Sequence, residues 1–264
     1  MELTLQRLAL AGYGIAALLS FTALASKKRW ILRLVPFAAM AGVASQLAYA
    51  IPPVLRGDHI LFGAIDDVLP FLTVVAAVAY LYGHWRHGLH VLGVILLPLA
   101  LVLDLVSDVL PTRTLPVAAG FKDPLLIFHI VVSTMGVAAL CVTFTFSVIY
   151  LVQENALKKK RDNRFFLVLP SLSGCDQALY RSMVVGFALL TVGLAAAAVW
   201  SANFRGTFRL WENQREVIGL IAWAIFGVVL YARLVRGWRG RKAALLAIAG
   251  FAAVMARVLS YPFF

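Results

Sequence analysis

Apolar runs of about twenty residues, the length that spans a bilayer, follow one another along almost the whole chain, separated only by short polar turns. A chain patterned this way has lipid as its solvent. In lipid every backbone polar group must be satisfied internally, which leaves helices and closed barrels as spanning structures. Barrel strands alternate polar and apolar residues over about ten positions, and these runs do not alternate. The expected fold is all-α, a polytopic membrane helix bundle. Composition agrees, with 62% hydrophobic and 14% charged residues.

Eight spans are predicted: Leu5–Ala25, Ile31–Ile51, Ile65–Tyr82, Leu89–Leu110, Pro124–Gln153, Met183–Trp200, Val217–Arg233 and Ala243–Tyr261. The fifth is long enough to project beyond the bilayer. The first lacks the basic start and cleavage site of a signal peptide, so it reads as a retained anchor. With no internal repeat, low-complexity linker or composition shift, residues 1–264 read as a single integral membrane domain.

Lysine and arginine in the turns set orientation. One set of turns holds sixteen: Lys27, Lys28, Arg29, Arg33, Arg86, Lys158, Lys159, Lys160, Arg161, Arg164, Arg181, Arg233, Arg236, Arg239, Arg241 and Lys242. The opposite set, with the N-terminus, holds seven: Arg7, Arg56, Arg113, Lys122, Arg205, Arg209 and Arg215. The richer set is expected in the cytoplasm, with both termini outside. The net charge of +12 is then topogenic, attracted also to the anionic headgroups of the surrounding lipid bilayer. Nucleic acid is excluded as a partner, because no soluble basic domain with base-reading or stacking groups is present.

Cys141 lies mid-span and Cys175 on the cytoplasmic side, without partners at motif spacing, so both are expected to be inert thiols rather than a disulfide, zinc site or redox pair. Among the five histidines, His84, His87 and His90 stand at i, i+3 and i+6, a spacing that suits either one metal-binding helical face or a polar interface turn. His129, by contrast, lies about one turn inside the fifth span. An ionisable side chain at that depth is costly and marks a functional site by default. Its two readings are a histidine hydrogen-bonded to a neighbouring helix and an axial ligand to haem iron.

Polar residues gather at the outer helix ends. Asp66 and Asp67 open the third span, Asp104 and Asp108 share a face at i, i+4, and Asp123 before Pro124 is placed to cap the fifth. The segment Ser201–Glu216 sets Arg205, Arg209, Arg215, Glu212 and Glu216 among Phe204, Phe208 and Trp211. Arg257 lies near the outer end of the last span. This rim reads either as interfacial ion pairing or as a basic, aromatic ledge for an anionic planar ligand, since arginine forks suit haem propionates.

A set of ordered motifs from Pro124 onward resembles the cytochrome c assembly membrane proteins, in particular the small HemX-like and YpjD-like branch. The motifs are Leu126-Ile127-Phe128-His129; Tyr150-Leu151, Gln153 and Leu157-Lys158; Leu169-Pro170-Ser171-Leu172; Asp176 and Tyr180-Arg181; and Gly186 through Gly193. Trp223, Gly237-Trp238-Arg239-Gly240-Arg241-Lys242-Ala243 and Ala249-Gly250-Phe251 complete the set. The resemblance implies a multi-pass protein of a bacterial inner (cytoplasmic) membrane that handles haem at the outer face, with other cytochrome c maturation proteins as partners. It implies that His129 ligates iron, that Trp211 packs on the porphyrin, and that Arg205, Phe208 and Arg209 belong to the same haem-cradling segment.

Three departures accompany the resemblance. The tryptophan-rich motif W-G-x-x-W-x-W-D-x-K-E of larger members is reduced to Arg205-Gly206-Thr207-Phe208-Arg209-Leu210-Trp211-Glu212-Asn213-Gln214-Arg215-Glu216. The last span carries no second outer histidine, and Gln46 stands where relatives often carry one. Haem presentation is therefore set beside two other readings. One is a non-catalytic scaffold or regulatory partner of a transporter or haem-synthesis enzyme that has lost haem ligation. The other is small-solute or ion transport through the outer aspartates near Arg257, although inverted repeats and interrupted helix pairs are lacking. No nucleophile elbow or other hydrolase or transferase constellation appears. Under the haem reading, bond-forming chemistry would belong to haem vinyls and client thiols, and this chain would supply binding and orientation.

Overall fold

The computed structural model describes residues 2–26, 29–55, 65–109, 123–159, 170–205 and 214–259. These form eight helices: α1 (Glu2–Ala25), α2 (Arg29–Leu55), α3 (Ile65–His87), α4 (Gly93–Val109), α5 (Pro124–Lys158), α6 (Leu172–Arg205), α7 (Gln214–Arg236) and α8 (Arg241–Leu259). A single 3-10 turn, His90–Leu92, leads into α4. Among the described residues seven helices are long and apolar enough to cross a membrane. The chain is thus an all-helical, multi-pass membrane protein. Its many exposed large apolar side chains, such as Leu3, Leu18, Phe37, Tyr231 and Leu234, are in keeping with lipid as the surrounding solvent.

Helix contacts divide the chain into two compact units, α1–α4 and α5–α8. In the first, α1 packs on α2 and α4, while α3 packs on α2 and α4. Small residues bring α1 and α2 together. A Cβ on Gly12 would lie only 2.7 Å from the backbone N and Cα of Gly42, so the two helices approach closely, as is common within membranes. Ala9, Tyr13, Ala16 and Ser20 are buried along α1, and Val35, Ala39 and Gln46 along α2, each set at helical spacing. Pro70 and Pro98 sit inside α3 and α4 without ending them.

In the second unit, α5 packs on α6 and α8, and α7 on α6 and α8. The start of α5 matches the expectation. Asp123 is the N-cap, its carboxylate accepting the Leu125 N–H at 2.8 Å, with Pro124 in the first turn. The buried hydroxyls of Thr134, Thr143, Thr145 and Ser147 each donate to the carbonyl four residues back, which satisfies them inside an apolar helix.

The beginning of α6 corrects the expectation. Cys175, Asp176, Tyr180 and Arg181, expected in a cytoplasmic loop, are helical, because α6 starts at Leu172 rather than Met183. Ser171 stands just before α6, its hydroxyl accepting the Gly174 N–H at 3.1 Å, an N-cap contact. The Asp176 charge on this helix is answered by an arginine of α7.

Candidate functional site

The α5–α6 pair carries the site, and glycines set its spacing. A Cβ on Gly136 would lie 3.1 Å from the backbone N of Leu190, and one on Gly186 2.8 Å from Leu140 Cδ2. One Cβ on Gly193 would run into the Ser133 hydroxyl. With the helix backbones this close, a side chain near the start of α5 can reach a main-chain carbonyl of α6. His129 does so: its Nδ1 lies 2.7 Å from the Gly193 oxygen, with the Ser133 hydroxyl 3.3 Å away.

A carbonyl can only accept, so His129 Nδ1 carries the proton and the ring lone pair sits on Nε2. Both sequence readings of this residue begin from that bond. It is a histidine hydrogen-bonded to a neighbouring helix, and the bond it makes is the kind that orients a metal-ligating imidazole. The ring is half-buried. Arg205 is the last residue of α6, and Phe208, Arg209 and Trp211 lie outside the described residues, as does His59.

A second polar constellation lies at the opposite end of this unit, where the quoted motifs converge. Arg233 of α7 grips Asp176 of α6 with Nη1 3.0 Å from Oδ1 and Nη2 2.6 Å from Oδ2. The same guanidinium lies 4.5 Å above the Tyr180 ring. Asp176 Oδ1 also accepts the Gly240 N–H at 2.9 Å, so one carboxylate ties α6, α7 and the turn into α8. Gly240 adopts φ +67°, which favours glycine there. Beside it, the buried Gln153 donates to the Pro170 carbonyl at 2.9 Å, and Glu154 pairs with Lys158 at 2.7 Å and Arg241 at 3.4 Å. Charges expected only as solvated topogenic groups here hold helices together.

In the first unit the outer aspartates separate. Asp108 is exposed and accepts from Gln6 at 2.7 Å. Asp104, expected beside it on the rim, is buried with 5% exposure. Its Oδ1 accepts from Gln46 Nε2 at 2.9 Å, and Gln46 Oε1 accepts from the Tyr13 hydroxyl at 2.6 Å. Asp104 continues the inward face of Leu97 and Ala100, a signal that was present in the helical spacing. Both polar groups of the Gln46 amide are engaged, so this position is a structural hydrogen-bonding node. Cys141 and Cys175 are buried thiols. Among the described residues no group of three or more His, Cys, Asp or Glu side chains forms a metal cluster.

Taken together these features define a multi-pass helical membrane protein with a histidine fixed between two closely packed helices. Residues 63–263 match the family described as Cytochrome C assembly protein, so the chain belongs to that family. A Guillardia theta protein, cytochrome c biogenesis protein CcsA, is 29% identical over an alignment of 207 residues, with 71% of this chain and 68% of that one covered. The Chlamydomonas reinhardtii protein of the same name is 29% identical over 142 residues, covering 53% of this chain and 38% of its own. A shorter, stronger match is to the Prochlorococcus marinus (strain NATL1A) CcsA, 47% identical over 76 residues, 29% of this chain and 24% of the relative. No solved structure matches the chain.

Proposed function

We propose that this protein acts in cytochrome c biogenesis, holding haem at the end of its second unit with His129 as an axial ligand. The observation that carries this reading is the 2.7 Å bond from His129 Nδ1 to the Gly193 carbonyl. It selects the tautomer an iron ligand needs and fixes the ring plane. His129 would hold the iron, with Trp211 and Phe208 against the porphyrin and Arg205 and Arg209 toward the propionates. The bound haem would supply vinyl groups for thioether formation with the cysteines of a client protein. The residues of this chain bind and orient; Gly193 and Ser133 position the imidazole. Family membership and the CcsA relatives support the biogenesis role. The bacterial inner membrane and an outward-facing site belong to the same proposal.

A scaffold that has lost haem ligation is the second reading, and Gln46 favours it. In the place where relatives often carry histidine, this chain has an amide committed to Tyr13 and Asp104. The two readings separate in one experiment. Protein purified from haem-replete cells is scanned in its oxidised and dithionite-reduced forms beside His129→Ala. A Soret band that is lost in the variant supports the haem reading. A featureless spectrum after haem titration sinks it in favour of the scaffold.

A further inference from the structure

The i, i+3, i+6 spacing of His84, His87 and His90 suggested one helical face, and the chain does not keep that face. Helix α3 ends at His87, Gly88 takes φ +64°, and His90 opens the 3-10 turn. The reversal swings His90 back over α3, so that its Nδ1 lies 3.0 Å from His84 Nδ1, the ring centroids 4.3 Å apart. His87 goes its own way, edge-on to the Tyr82 ring. The Tyr80 hydroxyl lies 3.2 Å from the same His84 Nδ1.

One imidazole nitrogen has either a proton or a lone pair, never both. His84 Nδ1 faces two groups at hydrogen-bonding distance, the Tyr80 hydroxyl and His90 Nδ1, each of which has a lone pair to offer as well as a proton. We propose that Tyr80, His84 and His90 form a binding site for a divalent transition-metal ion of the copper(II) or zinc(II) type, independent of the haem reading of His129.

The spacing is that of two ligands on one ion. With metal–nitrogen bonds of about 2.05 Å, nitrogens 3.0 Å apart subtend roughly 95° at the metal. That suits adjacent positions of a tetragonal copper site, and opening the pair to about 3.3 Å gives the tetrahedral angle of zinc. Two imidazoles and a phenol, with no carboxylate among the three, do not suit calcium or magnesium, which take oxygen ligands.

The donors are also held in place before any ion arrives. Gly88 N–H donates to the His84 carbonyl at 3.1 Å, Leu89 N–H to the Gly83 carbonyl at 3.0 Å, and His90 N–H to the Gly88 carbonyl at 2.9 Å. Tyr80 is buried, and its ring packs so closely on Gly93 that a Cβ there would lie 2.8 Å from Cε2. Both histidines are half-buried, which leaves a path for the ion and for water as further ligands. On binding, the ring that held its proton on Nδ1 becomes the Nε2–H tautomer by exchange through solvent, so both imidazoles stay neutral and each Nδ1 gives its lone pair to the metal.

The test uses tag-free, detergent-purified full chain stripped with EDTA, titrated separately with copper(II) and zinc(II). One ion per chain is expected, with a copper EPR spectrum showing two equatorial nitrogens. His84→Asn and His90→Asn should each weaken binding by at least about tenfold, the lower end of what even outer-shell changes cost, and His87→Asn should not. A variant combining His59→Asn, His87→Asn and His129→Ala leaves His84 and His90 as the remaining histidines and should keep the two-nitrogen spectrum, which decides the matter even if a His84 or His90 variant does not fold. Substoichiometric binding, or affinity unchanged in both His84→Asn and His90→Asn, would reduce the pair to a direct histidine–histidine hydrogen bond and overturn the site.

Discussion

Arg233 of α7 and Asp176 of α6 are joined fork to fork, at 3.0 and 2.6 Å, with both side chains largely withdrawn from solvent. Removing one partner strands the other charge in a partly dry site, which costs about 3 kcal/mol. Asp176→Ala should therefore lower the thermal unfolding temperature in detergent clearly, and it also deprives Gly240 N–H of its acceptor. Arg233→Lys keeps the charge but loses the fork and the stacking on Tyr180, a smaller cost of about 1.5 kcal/mol. If Asp176→Ala and Arg233→Lys leave the unfolding temperature unchanged, the pair is a surface contact without structural weight.

Gly193 is required by the neighbour it touches. Gly193→Ala would push a methyl group into the Ser133 hydroxyl, and overpacking of this kind costs about 1–3 kcal/mol. The same push moves His129 off its carbonyl. The expected outcome is a destabilised protein whose His129 15N shifts no longer report a proton fixed on Nδ1. Adding Ser133→Ala removes the hydroxyl in the way and should recover part of the stability. An equally destabilised double variant would show that the contact is not the cause.

Much of this architecture was legible because lipid allows so few alternatives. The eight helices and the Asp123 cap followed from apolar length and local capping chemistry, although seven of the helices qualify as spans among the described residues. Position along one helix, however, does not reveal what the next helix brings to it. The His84–His90 contact depends on the Gly88 reversal, and the Asp176–Arg233 pair joins residues 57 apart. Asp176 and Arg181 were placed before the sixth span because the apolar run begins at Met183, and such a run does not show where the helix itself begins. Asp104 was placed on the rim with Asp108, although its spacing from Leu97 and Ala100 put it on the buried face. For the site, His129 stood out by its depth in the span, whereas its partner Gly193 is a backbone carbonyl and leaves no side-chain signature.

The Tyr13–Gln46–Asp104 chain should behave asymmetrically under substitution. An interhelical hydrogen bond within a membrane is itself modest, about 0.6 kcal/mol on average. Orphaning buried groups costs more, about 1–3 kcal/mol each. Gln46→Leu strips both Tyr13 and Asp104 of their shared partner and should destabilise the fold by at least about 2 kcal/mol. Combining it with Tyr13→Phe and Asp104→Leu removes the stranded groups and should restore most of that loss. Asp104→Asn keeps an oxygen for Gln46 and should be tolerated, since Oδ2 has no hydrogen-bond partner among the described residues. A triple variant no more stable than Gln46→Leu alone would contradict this account.

The sixteen basic residues on one set of turns predict the orientation in the membrane, a prediction that can be read directly. Arg239, in the turn before α8, and Asn203, near the end of α6, are both exposed and are expected on opposite sides. The native Cys141 and Cys175 each have 0% exposure, so they should give little background with a membrane-impermeant maleimide. Arg239→Cys should label in inside-out vesicles and stay unlabelled in intact cells; Asn203→Cys should do the reverse. The opposite pattern would put the basic turns outside and His129 near the inner face, so haem delivery to an outer client through that residue would no longer be geometrically possible.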